Sequence, residues 1–231
     1  MIKLQLPSKP LELDPITEQQ LIDEFKASGK TVAVWKKSYI KTALKDMTNN
    51  KCAYSEITLG EESKYMEIEH FKCKYEYPDE VVKWGNLLPA CKKCNDIKGT
   101  LDVVKTPIVN PLTDSPGDHL YVRGFRFYQK DEKGENTIGA VALNDREHFV
   151  QPRSVIGFKI SDELESNFEL LKSTLVSPIK QRNALNKIKA ALRECGMKYS
   201  YSAVLSTYIL YEVPTYKEME TYLIQNGLWD N

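Results

Sequence analysis

The chain has 231 residues, 32 of them basic and 32 acidic, so its formal net charge is zero. That length suffices for one large domain or two small ones with a real core, and the charge balance argues against a protein that coats nucleic acid by charge alone. Hydrophobic and charged fractions of 42% and 28% are those of a globular protein in water. No apolar run approaches the roughly 20 residues of a bilayer span, and "MIKLQLPSKPLELDP" lacks the apolar core of an export signal. The expectation is a cytoplasmic chain with no membrane partner.

In chain order, the first fifty residues carry two amphipathic helical patterns. These are "TEQQLIDEFKASG", opened by Thr17 as its cap, and "VAVWKKSYIKTALKDMTNN". From Cys52 to about Val104 the pattern changes. "CAYSEITL" and "YMEIEHF" read as short strands, a loop rich in Tyr, Pro and Asp runs through Asp79, and "WGNLLPACKKCNDIKG" leads into a short helix at its cysteines. A strand, strand, helix unit of this size cannot bury much apolar surface unaided.

Turn-rich "NPLTDSPGDH" precedes two predicted strands, "YVRGFRFYQ" and "NTIGAVALN", with "DEKGEN" as a hairpin turn between them. After Ser161 the pattern is helical to the end, a scaffold or partner-facing region without evident chemistry. The expected organisation is therefore α+β in four segments: helices over 1–50, a core over 51–105, a hairpin and loop extension over 106–160, and helices over 161–231. There is no internal repeat or low-complexity tract.

Four of the five cysteines fall between Cys52 and Cys94. In a cytoplasmic chain such clustering points to metal or catalysis before disulfides. Cys195, far away, reads as a free, partly buried thiol. Seven lysines lie between Lys72 and Lys105, and they are either a solvated face or a patch that meets phosphate.

Chemistry concentrates in "IEHFKCKYEYPDEVVKWGNLLPACKKCNDIKG", residues 68–99. His70 titrates near neutrality when unperturbed and can serve as a base. Glu69 offers the hard oxygen that Mg²⁺ or Mn²⁺ prefers, and Asn95 offers a neutral one from the helix start. In a regular strand Glu69 and His70 point to opposite sides unless the strand ends or bulges there. Asn86 suits a structural task, bridging backbone groups so that His70 is held at its angle. His119 and His148 lie outside this set and read as packing or turn residues. Taken singly these features are common; in this order within about thirty residues they are not.

The ordered set resembles the ββα-metal motif of HNH endonucleases, in the variant whose last histidine is asparagine. The resemblance implies that His70 is the general base, that Glu69 and Asn95 hold a catalytic Mg²⁺ or Mn²⁺, that Asn86 is the middle asparagine, and that Lys98 touches phosphate. Many members of that family have Asp where this chain has Glu69. Many also clamp a structural zinc with two Cys-x-x-Cys pairs. Here Cys91 and Cys94 form one pair, but Cys52 is matched by Ser55, so the fourth ligand is Cys73, another side chain, or absent.

"EHFKCKYEYP", "KWGNLLPACKKCNDIKG", "NPLTDSPGDHLYV" and "VALNDREHFVQPR" together resemble the HNH effectors of Septu-type anti-phage systems, the PtuB family, including forms associated with retrons. This likeness covers roughly residues 50 to 155. It implies a nuclease acting on DNA or on RNA such as a transfer RNA, and an ATPase partner of the PtuA type. It also brings in a retron reverse transcriptase and its msDNA as partners. The competing reading is a zinc-ribbon interaction module without catalysis, which would leave the Glu-His pair without a task.

Overall fold

The computed structural model describes residues 1–60 and 65–229. The architecture mixes helices with two small two-stranded sheets, the α+β class expected from the sequence. By their internal contacts the residues group into two units. One comprises 1–121 and 127–144, the other 122–126 and 145–231.

The first unit opens with α1 (Pro15–Ala27) and α2 (Ser38–Met47). The cap of α1 is Asp14 and not Thr17: its carboxylate accepts from the backbone N–H of Ile16 and Thr17, and Pro15 occupies the first turn, where no N–H is needed. The second helix is shorter than its periodicity suggested. Residues 32–37 stay outside it, and α2 starts only at Ser38. Leu21, Ile22 and Phe25 from α1 join Ile40 and Leu44 from α2, together with Val34, Val81, Val82, Trp84 and Leu87, in one apolar core.

Against this core lies a ββα unit: β1 (Met66–His70), β2 (Leu87–Cys91) and α3 (Lys92–Lys98). The strands run antiparallel, with Met66 opposite Cys91 and His70 opposite Leu87. One strand of this unit differs from expectation. "CAYSEITL" is a tight turn closed by a bridge between Lys51 and Thr58, and the second strand is "LLPAC". The turn nevertheless joins the sheet, because Ala53 N–H donates to the Pro89 carbonyl at 2.8 Å. A run of five fully buried residues, such as 87–91, has no alternation from which a strand can be read. Gly99, at φ +50°, ends α3 in the left-handed region that glycine tolerates.

Beyond the short helix α4 (Pro116–His119), "YVRGFRFYQ" is two strands and not one. These are β3 (Leu120–Arg123) and β4 (Arg126–Gln129), joined by Gly124 and Phe125, both at positive φ. The predicted strand "NTIGAVALN" and turn "DEKGEN" instead form α5 (Glu132–Ala140) and its exit. Asp131 caps that helix by accepting from Gly134 N–H at 2.8 Å, and Glu132 and Glu135 sit in its first turn. These helix-start signals outweigh the short apolar run that follows.

In the second unit the helical run begins earlier than expected. A π turn (Arg146–Val150) feeds α6 (Gln151–Lys172), followed by α7 (Pro178–Glu194), α8 (Ser202–Glu212) and α9 (Tyr216–Gln225). Ile160, Leu164, Phe168 and Leu171 form the inner stripe of α6, and Ala184, Ile188 and Ala191 that of α7, at the three-to-four spacing of a packed helix pair. Phe125 rests on Gly157, where a Cβ would lie only 2.3 Å from its ring. Among the described residues no helix is long and apolar enough to cross a membrane.

Candidate active site and metal centre

Alternation along β1 puts Glu67 and Glu69 on one face, and the helical repeat puts Asn95 and Lys98 on one side of α3. The two elements meet as a ladder with two rungs. Asn95 Nδ2 donates to Glu67 Oε2 at 2.5 Å, and Lys98 Nζ lies 2.6 Å from Glu69 Oε1. Lys98 also donates to the His70 carbonyl at 3.0 Å, which ties the end of the helix to the end of the strand.

The His70 ring takes a different environment. Its Nε2 lies 2.8 Å from the Val81 carbonyl, and Trp35 meets the ring edge-on with centroids 4.8 Å apart. A carbonyl only accepts, so Nε2 must carry the proton and the lone pair resides on Nδ1. Asn86 fixes the two segments that set this geometry. Its Oδ1 accepts from Lys72 N–H at 2.7 Å, and its Nδ2 donates to the Lys72 and Glu80 carbonyls at 3.1 and 3.0 Å. One buried amide therefore clamps the chain just beyond His70 to the loop that carries Val81.

A cleft of about 670 Å³ opens over this ladder, lined by Trp35, Glu67, Glu69, His70, Lys74 and Asn95 among others. Burial, helped by the nearby Lys74 charge and opposed by the bond to Val81, lowers the His70 pKa to about 3. The ring is neutral at physiological pH. Glu69 is pushed up by burial against the opposing pull of Lys98. Lys74 is pushed down by burial, and its Nζ rests over the Trp35 and Tyr75 rings at 5.0 and 4.6 Å. Lys98 has no exposed side-chain surface, so in this conformation it meets Glu69 and not the cleft.

Glu67 is the residue that sequence reasoning passed over. Its signal was present, two residues before Glu69 on the same strand face. As donors, Glu67, Glu69 and the Asn95 amide are all hard oxygens, the set that suits Mg²⁺ or Mn²⁺.

The cysteines form a second centre. The Sγ atoms of Cys52, Cys91 and Cys94 all lie within 4.8 Å of one another and are buried. Ser55 brings its hydroxyl to 3.7 Å from Cys91 Sγ, close to the spacing of about 3.5 Å expected between sulfur and oxygen ligands of one tetrahedral zinc. Burial raises the Cys52 thiol, but hydrogen bonds from Cys91, Cys94 and Ser55 outweigh it and hold Cys52 well below its usual value. Three soft donors with a hydroxyl beside them fit a metal ion such as zinc. Cys73 is buried elsewhere and lines the cleft, so it belongs to the other site. Tyr54 lies fully buried beside both centres; burial raises its pKa, and the charges of Glu69 and Cys52 add to that.

The remaining histidines pair with aspartates. His119 Nδ1 lies 2.6 Å from Asp131 and His148 Nδ1 2.8 Å from Asp145, each beside a helix start.

Fold and site together define an α+β chain whose ββα unit carries a buried acid, histidine, asparagine and lysine set next to a three-cysteine cluster. No protein-family model matches the chain. It is similar to a Septu protein PtuB from Bacillus thuringiensis, 38% identical over 239 aligned residues, with all of this chain and 90% of the relative covered. A Septu protein PtuB from Bacillus mycoides (strain KBAB4) is 30% identical over 191 residues, 64% of each chain. The chain belongs to the PtuB family of Septu proteins.

Proposed function

We propose that the chain is a metal-dependent phosphodiesterase that cuts nucleic acid, the nuclease of a Septu anti-phage system working with an ATPase partner of the PtuA type in the cytoplasm. The observation that carries this reading is the tautomer of His70: Val81 holds Nε2–H, and a neutral Nδ1 remains as a base in a cleft lined by oxygen donors. His70 would take the proton of the attacking water. An arriving phosphate brings negative charge beside the ring and raises its basicity toward the working pH. Asn86 would keep the ring aligned through the Val81 loop, and Lys98 would hold Glu69 in place.

Glu69, Asn95 and Glu67 would hold the divalent ion, which supplies charge neutralisation at the phosphoryl group and a more acidic water. Zinc at Cys52, Cys91 and Cys94 would fasten the turn at Cys52 to the start of α3. DNA is the default substrate, and RNA, including transfer RNA, uses the same phosphodiester chemistry. The second helical unit is the proposed docking surface for the partner.

The test is cleavage of plasmid DNA and of total RNA by the purified chain, with and without the ATPase. Mg²⁺ or Mn²⁺ is set against EDTA. Cutting should require the metal and fall about 10²- to 10⁴-fold in His70→Ala. Full activity in that variant would sink the proposal. A folded, zinc-loaded chain that binds partners but never cuts would support the interaction-module reading instead.

A further inference from the structure

The lysines that sequence counting singles out are largely engaged. Lys72 lies 2.7 Å from Glu80, Lys92 3.0 Å from Asp96, Lys98 2.6 Å from Glu69 and Lys105 3.3 Å from Asp102. A different set of cations lines the cleft: Lys36, Lys37 and Lys41, from the approach to α2 and its first turn. Lys36 and Lys41 are exposed and Lys37 is half-buried. Among the described residues none of the three makes an ion pair, and Lys37 and Lys41 stand one helical turn apart, about 6 Å along the axis.

Charge in the cleft is thus segregated. Oxygen donors (Glu67, Glu69, Asn95) lie on the β1–α3 side, and cations lie on the α2 side, with Lys74 held between aromatic rings. Two further aromatics line the same cleft: Tyr65 is 72% exposed and Tyr75 45% exposed. Tyr65 stands mostly in water, and Tyr75 stays nearly half exposed although Lys74 rests on its ring, beside lysines that make no ion pair among the described residues. Together they match a surface that stacks bases while tracking a phosphate backbone. Stacking of this kind needs bases that are unpaired and splayed, which a duplex does not offer.

We propose that Lys36, Lys37 and Lys41, with Tyr65 and Tyr75, form the substrate grip of this cleft and that the strand they hold is single-stranded nucleic acid. The proposal rests on the nuclease reading above and adds to it the strand form and the residues that hold it. The lysines anchor phosphates flanking the scissile one, and the tyrosines stack the adjoining bases.

The experiment is fluorescence anisotropy with the full chain in EDTA, so that binding is read without metal-dependent cutting. The probes are 20-nucleotide single-stranded DNA, the same sequence as RNA, and a blunt DNA duplex. The native chain should bind either single strand more tightly than the duplex. The triple variant Lys36→Ser, Lys37→Ser, Lys41→Ser should bind at least tenfold more weakly, and its log K against log salt slope should be shallower by about 2, at about 0.7 for each lost single-strand phosphate contact. Tyr75→Ala should lose about tenfold on single strands and little on duplex.

An unchanged affinity and salt slope in the triple variant overturns the proposal, as does a preference for duplex or no binding by the native chain. Failure of the nuclease reading is distinguishable. A chain that binds as described but never cuts keeps the grip and loses the nuclease, whereas metal-dependent cutting with unchanged binding in the triple variant removes only the grip.

Discussion

The two units of the chain bury different things. In the ββα unit, Glu69, His70, Asn86 and Lys98 are each 5% exposed or less and make specific polar contacts. In the helical unit the facing stripes of α6 and α7 are mainly Ile, Leu, Phe and Ala, with Arg153 and Asn167 also buried in α6, and the cavity of about 380 Å³ near α7, α8 and α9 is lined largely by apolar side chains such as Leu192, Ile209, Leu210 and Leu223. A helix pair needs only apolar stripes to stay packed. Charged and amide groups taken out of water cost stability unless paired; the first unit gathers four of them in and beside one cleft, whereas Arg153 of the helical unit sits over the Phe149 and Tyr201 rings. The contrast is what supports the proposal that the first unit carries the chemistry and the second contacts the partner.

The sharpest way to break that contrast is Lys98→Met. It leaves Glu69 buried without its cation and should destabilise the chain by about 3–5 kcal/mol. The loss should depend on pH. Burial already raises the Glu69 pKa against the pull of Lys98, so without Lys98 the folded pKa rises further above the unfolded value. The folded state then binds the extra proton, and stability falls as pH increases through that window. Thermal melts should show the variant closer to the parent at pH 5 than at pH 8. An equal deficit at both values would mean that the charge of Glu69 is not what Lys98 balances.

Ile188→Ala tests the other side. This fully buried residue of α7 should cost about 3 kcal/mol through lost transfer energy and a cavity. Its denaturation midpoint should not shift between those two pH values beyond the shift of the parent, because no titrating group is uncovered. Ser55→Cys has a smaller effect of opposite sign. A fourth thiol beside Cys91 should tighten zinc, and a tenfold gain in affinity adds about 1.4 kcal/mol of stability in excess zinc. Metal content by mass spectrometry and melts with and without chelator would read it. Absence of zinc from both the native chain and the variant would separate the cysteine cluster from zinc. Least of all, Lys172→Ala should move the thermal melt only slightly, since its partners Glu169 and Glu218 are exposed and the bridges are screened by water and salt. A larger shift would mean that the helical unit also depends on charge.

Much of the candidate site is legible in the sequence. Glu69, His70, Asn86, Asn95 and the cysteines stand in an order whose chemistry can be read from residue types and spacing, and helix α1 and the helices of the second unit follow from periodicity. Less legible were the elements without period. Residues 87–91 are buried on every side, so no alternation marks them as a strand, and the pattern of 136–144 suggests a strand although Asp131 caps a helix just before it. Local chemistry identifies donors and acceptors because these are properties of single side chains. Only the tertiary structure decided who meets whom. It set Lys98 on Glu69 and not in the cleft, Ser55 beside the three thiols in place of Cys73, and the lysines before and within α2 opposite the oxygen donors. Those pairings join residues tens of positions apart, and they are set by how the core stacks α2, β1 and α3 together, not by any neighbour along the chain.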